Sequence, residues 1–550
     1  MLQALELENF KAFGKRACIP FAPITLIFGE NSAGKSSILH ALYLLKQTIE
    51  SRESGALLLP RTENEIVDLG SFQEMLFDHD LDRTLSIRVA TTMNKEDLSL
   101  LPSENSKIAI EFGFKRTSLK EEILLAQIGI YNKKSSKCIA KFQPLNTTEK
   151  HEEFWKRMGF SNPSFHDLLT SKLDVVECTW FTKAAEYWEP EFEWCKENQQ
   201  EILERVEKFK ANSETIFNLS DEILQDIKES NQKLPHELRH ELIRNEIKYL
   251  NADIELFTSN FDLKTYISKS HREKINTVLR MQGFLPTEDI SIAKNRWRPF
   301  YLSSMHRQSE RTQFFDVGKL VIATGRALEQ TLDSLFPMSP FRRPPQRWYI
   351  FSGTSPEDVG YQGDLLPDLL FRRPELVQET DTWLKRLDMG YELDVKSVRE
   401  NPGDLFEVRL IDTHRKEPIN VGLPDVGFGI SQLLPFVVQS LVSEKRILSI
   451  EQPEVHVHPK LQADLGDLLA ECIKEPRQNQ FIVETHSEHL ILRLQRLVRQ
   501  EKIKPEDISV IYISRRPDGA KAERLHLDKD GDFIDDWPNG FFPERLRELR

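Results

Sequence analysis

The run Gly29-Glu30-Asn31-Ser32-Ala33-Gly34-Lys35-Ser36, continued by Ser37, places two glycines ahead of a Lys-Ser pair. Each residue type has a use around a polyphosphate. Gly29 and Gly34 permit the backbone angles and the close approach that let successive N–H groups curl around a β-phosphate. Lys35 neutralises β and γ oxygens, and Ser36 offers its hydroxyl to Mg²⁺ at the start of a helix whose positive end also faces the phosphates. The ligand this pattern implies is ATP with Mg²⁺.

Three further segments have the chemistry to complete such a site. Residues 447–450 form a short apolar run ending in Glu451-Gln452-Pro453-Glu454, where Glu451 at a strand tip would hold the Mg²⁺ shell, directly or through water, beside the P-loop. Residues 481–483 form another apolar run, followed by Glu484-Thr485-His486-Ser487, and a neutral His486 imidazole could hydrogen-bond a γ-phosphate or orient water. In Val426-Gly427-Phe428-Gly429-Ile430-Ser431-Gln432, small residues precede an apolar stretch that can open a helix, so that a second subunit's phosphate could approach Ser431. Alone, each segment is also an ordinary strand end or glycine-containing loop. Their weight comes from company.

The elements that must position these residues follow from periodicity. Leu5 and Leu7, then Ile24, Leu26 and Phe28, alternate as strands do, with Pro20 and Pro23 between them. From Ser36 the period changes, and Ile38, Leu39, Leu42, Leu45 and Ile49 follow helical spacing, giving the order strand, loop, helix. Residues 85–89 and 108–114 read as further strands of a mixed sheet. Over 151–295 the composition shifts to Glu, Lys, Asn and Gln with apolar residues at helical spacing, such as Ile243, Ile247, Leu250 and Ile254. This reads as a helical insertion between an N-terminal ATPase segment (1–150) and a C-terminal one (296–550). No heptad pattern long enough for an extended coiled coil can be traced in it. The Pro/Arg-rich residues 340–349 cannot be regular helix, and are either a rigid surface loop or a phosphate- or base-contacting one.

Bulk properties exclude several classes. A chain of 550 residues needs more than one simple core. A net charge of −13 does not suit a protein whose whole surface tracks nucleic acid, although a local basic groove is compatible with it. Cys18, Cys138, Cys178, Cys195 and Cys472 are scattered without a CxxC pair, against a disulfide framework or zinc site and in favour of a reduced cytosol. Nowhere do about 18 consecutive apolar residues occur, so a cytoplasmic, non-membrane protein is expected.

The four motifs in this order, with the opening Leu7-Glu8-Asn9-Phe10-Lys11, resemble the ABC-type ATPases of the RecF, SMC and OLD-like group. More narrowly, Glu451-Gln452-Pro453-Glu454-Val455-His456-Val457-His458-Pro459, Glu484-Thr485-His486-Ser487-Glu488-His489 and Asp536-Trp537-Pro538-Asn539-Gly540-Phe541-Phe542 resemble AAA-type ATPases of prokaryotic phage-defence loci. Within these the chain is most similar to the PtuA family, the ATPases of Septu systems, including retron-attached versions. The resemblance implies an α/β fold, that of an ABC-type P-loop NTPase with a mixed sheet. It implies that residues 427–432 are a signature loop, that ATP is sandwiched in a homodimer or larger assembly, and that His486 is the switch histidine. It also implies an HNH endonuclease partner (PtuB-like) and, in a retron context, a reverse transcriptase with its attached DNA or RNA.

One departure bears on turnover. Such ATPases end this strand in an acid pair, the second acid polarising the attacking water, but here Gln452 stands second, and an amide cannot accept a proton. Either Glu454 substitutes from a shifted position, or hydrolysis is slow and ATP acts as a sensed ligand, the reading the sequence slightly favours. No His-Asn-His nuclease pattern occurs, so cleavage is assigned to a partner. A DNA-repair or chromosome-maintenance ATPase is the competing function. His456 and His458 lack further zinc ligands at suitable spacing, and Asp528-Lys529-Asp530-Gly531-Asp532 reads as a hairpin turn rather than a calcium loop.

Overall fold

A computed structural model describes residues 1–51, 57–61, 66–93, 107–116, 123–132, 138–144, 173–178, 279–282, 284–288, 317–398, 405–413, 415–538 and 540. The chain opens with β1 (Leu2–Glu8), β2 (Ala17–Pro20) and β3 (Ile24–Gly29), the P-loop, and helix α1 (Lys35–Glu50). After the short α2 (Phe72–Met75) come β4 (Leu85–Thr92), β5 (Lys107–Arg116), β6 (Ile123–Asn132), β7 (Cys138–Pro144) and β8 (Leu173–Cys178). A hairpin of β9 (Leu279–Gln282) and β10 (Leu285–Glu288) precedes α3 (Val317–Asp333), β11 (Leu335–Met338) and β12 (Tyr349–Ile350). Helices α4 (Leu366–Arg372) and α5 (Pro374–Arg386) lead to β13 (Tyr391–Ser397), β14 (Leu405–Asp412) and β15 (Ile419–Gly422). The C-terminal part runs through α6 (Phe428–Val442), β16 (Ile447–Glu451), α7 (Pro459–Cys472), β17 (Gln480–Glu484), α8 (Glu488–Arg499), β18 (Ile508–Ser514) and β19 (Lys521–Leu525).

The central sheet has the order β11-β16-β17-β3-β18-β19. Its first five strands are parallel and β19 is antiparallel, so the sheet is mixed as expected. Parallel strands with helices on their faces are buried on both sides, which explains why β16, β17 and β18 read as continuous apolar runs rather than alternating ones. The face carrying Ile27, Ile482 and Ile511 packs toward α1, α3 and the N-terminal strands. The face carrying Leu26, Phe28, Val483 and Val510 packs under helices α4 to α8. Tyr43 of α1 is fully buried and donates from its hydroxyl to Ser449 Oγ of β16 at 2.9 Å, pinning the P-loop helix across the sheet.

Residues 85–89 and 108–114 form strands, as their patterning predicts, but not in the central sheet. They belong to a separate, wholly antiparallel sheet of order β2-β1-β4-β5-β6-β7-β8. Its inner face is sealed by Phe284, whose ring stands edge-on to Phe112 at 4.8 Å and to Phe114 at 6.2 Å. Truncating such a buried aromatic to alanine costs about 3–5 kcal/mol. Within 151–295 the described residues are β8, β9, β10 and residue 284; the remainder of the expected helical insertion, with Trp180, Tyr187, Trp188 and Trp194, lies outside the described residues. No described helix is long and apolar enough to cross a membrane.

Candidate nucleotide site

The loop leaving β3 turns by backbone geometry that its residue types allow. Gly29 has φ 147° and faces the Ile513 carbonyl of β18 so closely that a Cβ would collide with it. Gly34 caps α1 with φ 101°, and a Cβ there would stand 2.5 Å from that of Ala12. Both are positions where only glycine is unstrained. Glu30, Asn31 and Ser32 are exposed at the tip of the loop, while Ala33, Lys35 and Ser37 are buried beneath it. Lys35 Nζ donates to the carbonyls of Gly29 at 3.2 Å and Glu30 at 2.8 Å, so the ammonium is already folded into the curl of the loop.

The order of strands decides which acids reach this loop. Strand β17 lies between β3 and β16, with Glu484 opposite Ile27 on one side and Glu451 on the other. With β17 interposed, Glu484 is the acid that contacts the P-loop residues. Ser36 Oγ donates to Glu484 Oε2 at 2.8 Å, and Lys35 Nζ lies 4.0 Å from Glu484 Oε1, with both side chains almost fully buried. Glu484 is the residue that motif reasoning left without a role. Glu451 stands across the ladder from Glu484, near enough for the Ser36 hydroxyl to ease its burial slightly.

After Glu451 the chain turns back sharply. Gln452 takes φ 46° and donates its N–H to the Glu484 carbonyl at 2.7 Å, and the N–H groups of Val455 and Val457 close turns onto Gln452 and Glu454. A left-handed non-glycine residue costs on the order of 1 kcal/mol and is held here by the turn. This turn carries Glu454 back over the strand ends, where its Oε1 accepts the backbone N–H of His486 at 2.6 Å. Its other oxygen, Oε2, is buried with no hydrogen-bond partner. Ser487 caps α8 by accepting from Leu490 N at 3.1 Å and donates to Gln462 at 2.8 Å, which fixes the His486 backbone.

Electrostatics follow from this crowding. Burial, and then the neighbouring Glu484 charge, push Glu451 up to about 7. Burial likewise raises Glu454 and Glu484 above the ordinary carboxylate value. Lys35 is lowered by burial, against the pull of Glu484 and Glu454. His486 is lowered by burial and by the Lys35 charge, which keeps its imidazole neutral. Desolvated oxygen donors of this kind are short of positive charge, and they suit a hard divalent cation. No group of three or more His, Cys, Asp or Glu among the described residues encloses a metal by itself. Mg²⁺ commonly takes only one or two carboxylates and completes its shell with phosphate and water, so Ser36, Glu451 and Glu484 fit it as part of a shell.

The fourth motif forms the first turn of α6. Because α6 leads into β16, its N-terminus opens at the edge where β3, β16 and β17 end, the edge that carries the P-loop. Gly427 caps the helix with open space around it. A Cβ at Gly429 would strike the His456 carbonyl oxygen, so the first turn of α6 and the turn after β16 touch through a glycine. Ser431 is half-buried, and buried Gln432 accepts from the Arg342 N–H at 3.4 Å. The Pro/Arg segment is a rigid connection: Arg347 pairs with both oxygens of Asp425, Trp348 donates to Glu407, and Arg342 is buried with a contact to the Pro340 carbonyl.

A P-loop on a parallel strand inside the mixed sheet, an adjoining antiparallel sheet, acids at the neighbouring strand tips and a glycine-bearing helix start are the parts of a P-loop ATPase. The chain belongs to the AAA ATPase domain family, whose model matches residues 1–491. Residues 503–550 match a second family, described as a protein of unknown function (DUF3696). A relative from Helicobacter pylori, described as an ATP/GTP phosphatase, is 26% identical over 261 residues, covering 43% of this chain and 67% of the relative. Similar solved structures include an Smc head domain with an extended coiled coil bound to the C-terminal domain of ScpA, from Pyrococcus furiosus (TM-score 0.34, 13% identity, covering 100% of this chain and 99% of that one). Another is the SMC head domain from Thermotoga maritima (TM-score 0.33, 10% identity, 96% and 99% covered).

Proposed function

We propose that this ATPase closes into a dimer around ATP and hydrolyses it with Glu454 as the general base. The observation that carries this reading is the buried, unpartnered Oε2 of Glu454, held beside His486 over the edge where Lys35, Ser36 and Glu451 converge. A desolvated carboxylate with raised proton affinity is suited to accept a proton from water near neutral pH. Glu454 therefore takes the part that Gln452 cannot, and the glutamine serves the turn that delivers it.

In this reading the P-loop residues 29–37 wrap the phosphates, with Lys35 as the fixed charge. Mg²⁺, when bound, neutralises phosphate oxygens and orients the terminal phosphate. Ser36 and Glu451 hold it, and neutral His486 hydrogen-bonds the γ-phosphate. Gly427, Gly429, Ser431 and Gln432 present backbone N–H groups and a hydroxyl to the nucleotide of the second subunit. The motif resemblance extends the proposal to the cell: nucleotide-driven closure regulates a partner HNH endonuclease in cytoplasmic phage defence, with a reverse transcriptase added in retron-linked loci.

Light scattering of the purified chain tests the first part. ATP should convert monomer to dimer, Lys35→Ala should remain monomeric, and Glu454→Gln should dimerise yet turn over about 10²–10⁴-fold more slowly. Full turnover by Glu454→Gln refutes the base assignment. Copurification from the native locus tests the second part, since recovery without any nuclease, together with salt-sensitive DNA binding by the ATPase alone, favours a repair function.

A further inference from the structure

The acid pair of the nucleotide site is split between two strands. At the tip of β16 the position after Glu451 is an amide, but directly across the parallel ladder stands Glu484. It is a buried carboxylate at the end of the strand that itself pairs with the P-loop strand. One of its oxygens takes the Ser36 hydroxyl at 2.8 Å and the other lies 4.0 Å from Lys35 Nζ. Its backbone carbonyl receives the Gln452 N–H, which locks the tip of β17 to the turn after β16. A structural acid could be placed anywhere along β17; this one sits where a phosphate-bound cation must be met.

We propose that Glu484 is a second carboxylate of the Mg²⁺ shell, acting with Glu451 and the Ser36 hydroxyl from the strand between the P-loop and Glu451. The inference rests on the ATP-binding reading of this site. Without nucleotide, Glu484 occupies the Ser36 hydroxyl and offsets the Lys35 charge. When Mg-ATP binds, the phosphates take over Lys35 and the carboxylate turns its charge to the cation. Exchange of one partner for another keeps a buried carboxylate satisfied in both states, whereas an acid without such a second partner would be left uncompensated.

The test uses the full chain with Mn²⁺ as the probe. Binding is followed by electron paramagnetic resonance in the presence of a non-hydrolysable ATP analogue, and compared with binding of a fluorescent ATP analogue in EDTA. Glu484→Gln preserves shape and an acceptor for Ser36. Its Mn²⁺ affinity should fall by about 10-fold or more, as should that of Glu451→Gln. Its metal-free nucleotide affinity should equal or exceed that of the unmodified chain, since Lys35 loses a competing charge. Mn²⁺ affinity within about 2-fold of the unmodified chain overturns the inference, with or without a lowered melting temperature, and leaves Glu484 a structural partner of Ser36. Loss of metal-free nucleotide binding in Glu484→Gln alone also overturns it. Failure of the unmodified chain to bind nucleotide removes the ATPase reading as well.

Discussion

Three desolvated carboxylates at the tips of β16 and β17 and in the turn between β16 and α7 should make the nucleotide-free protein less stable at neutral pH than at mildly acidic pH, and Glu451→Gln should relieve part of that. Glu451 is raised from 4.5 to about 7. In the unfolded chain it ionises near its ordinary value, so between the two the native state holds a proton that the unfolded state has lost. The cost of ionising it in the fold is therefore absent below the unfolded value, grows through the interval and is complete above about 7. A shift of about 2.5 units at about 1.4 kcal/mol per unit is on the order of 3 kcal/mol. Part of this belongs jointly to Glu451 and Glu484, so a single substitution should recover about 2 kcal/mol. In a chain of 550 residues that is a rise of roughly 2 °C in melting temperature. Differential scanning fluorimetry in EDTA should find Glu451→Gln melting with the unmodified protein near pH 4.5 and above it at pH 8. A variant that melts lower at pH 8, or an offset independent of pH, would refute the electrostatic account of the site.

Other consequences follow from the packing around the site. Gly429→Ala drives a methyl group into the His456 carbonyl, and backbone must yield. A loss of about 1–3 kcal/mol is expected in denaturant melts, with ATP-driven dimerisation impaired more than nucleotide binding. With Glu454 as the proposed base, Gln452→Glu should not raise turnover, since a fourth carboxylate would join three whose charge is poorly compensated; a several-fold gain in a steady-state phosphate-release assay would contradict this. Trp537, near the end of the described chain, packs edge-on to Phe28 at 5.4 Å, Tyr512 at 5.8 Å and Phe533 at 5.1 Å. Phe28 immediately precedes the P-loop, so Trp537→Ala should cost about 2 kcal/mol and lower the melting temperature with and without nucleotide.

What the sequence makes legible here is what local pattern encodes. The change from period two to period 3.6 at Ser36, with Gly29 and Gly34 between, needs no tertiary information, and β3, the loop and α1 lie where that pattern puts them. The apolar runs of β16, β17 and the start of α6 are equally local. Residues 85–89 and 108–114 show the limit: their alternation marks strands, but their assignment to a separate antiparallel sheet depends on β1 pairing with β2 and β4 rather than with β3.

Glu484 was hidden for the same reason. An acid at the end of an apolar strand is common, and its contact with Ser36 is made across 448 residues of sequence, by a strand order that no local signal specifies. Glu454 shows the converse. Its displacement two residues beyond Gln452 looks in one dimension like a reason for weak catalysis. The left-handed turn at Gln452 changes its meaning: with φ 46° there and the N–H anchored on Glu484, the chain doubles back and the displaced acid arrives beside His486. Linear spacing measures reach only while the backbone stays extended. At a strand tip the turn decides which side chain is carried back over the strand ends, and here that side chain is Glu454.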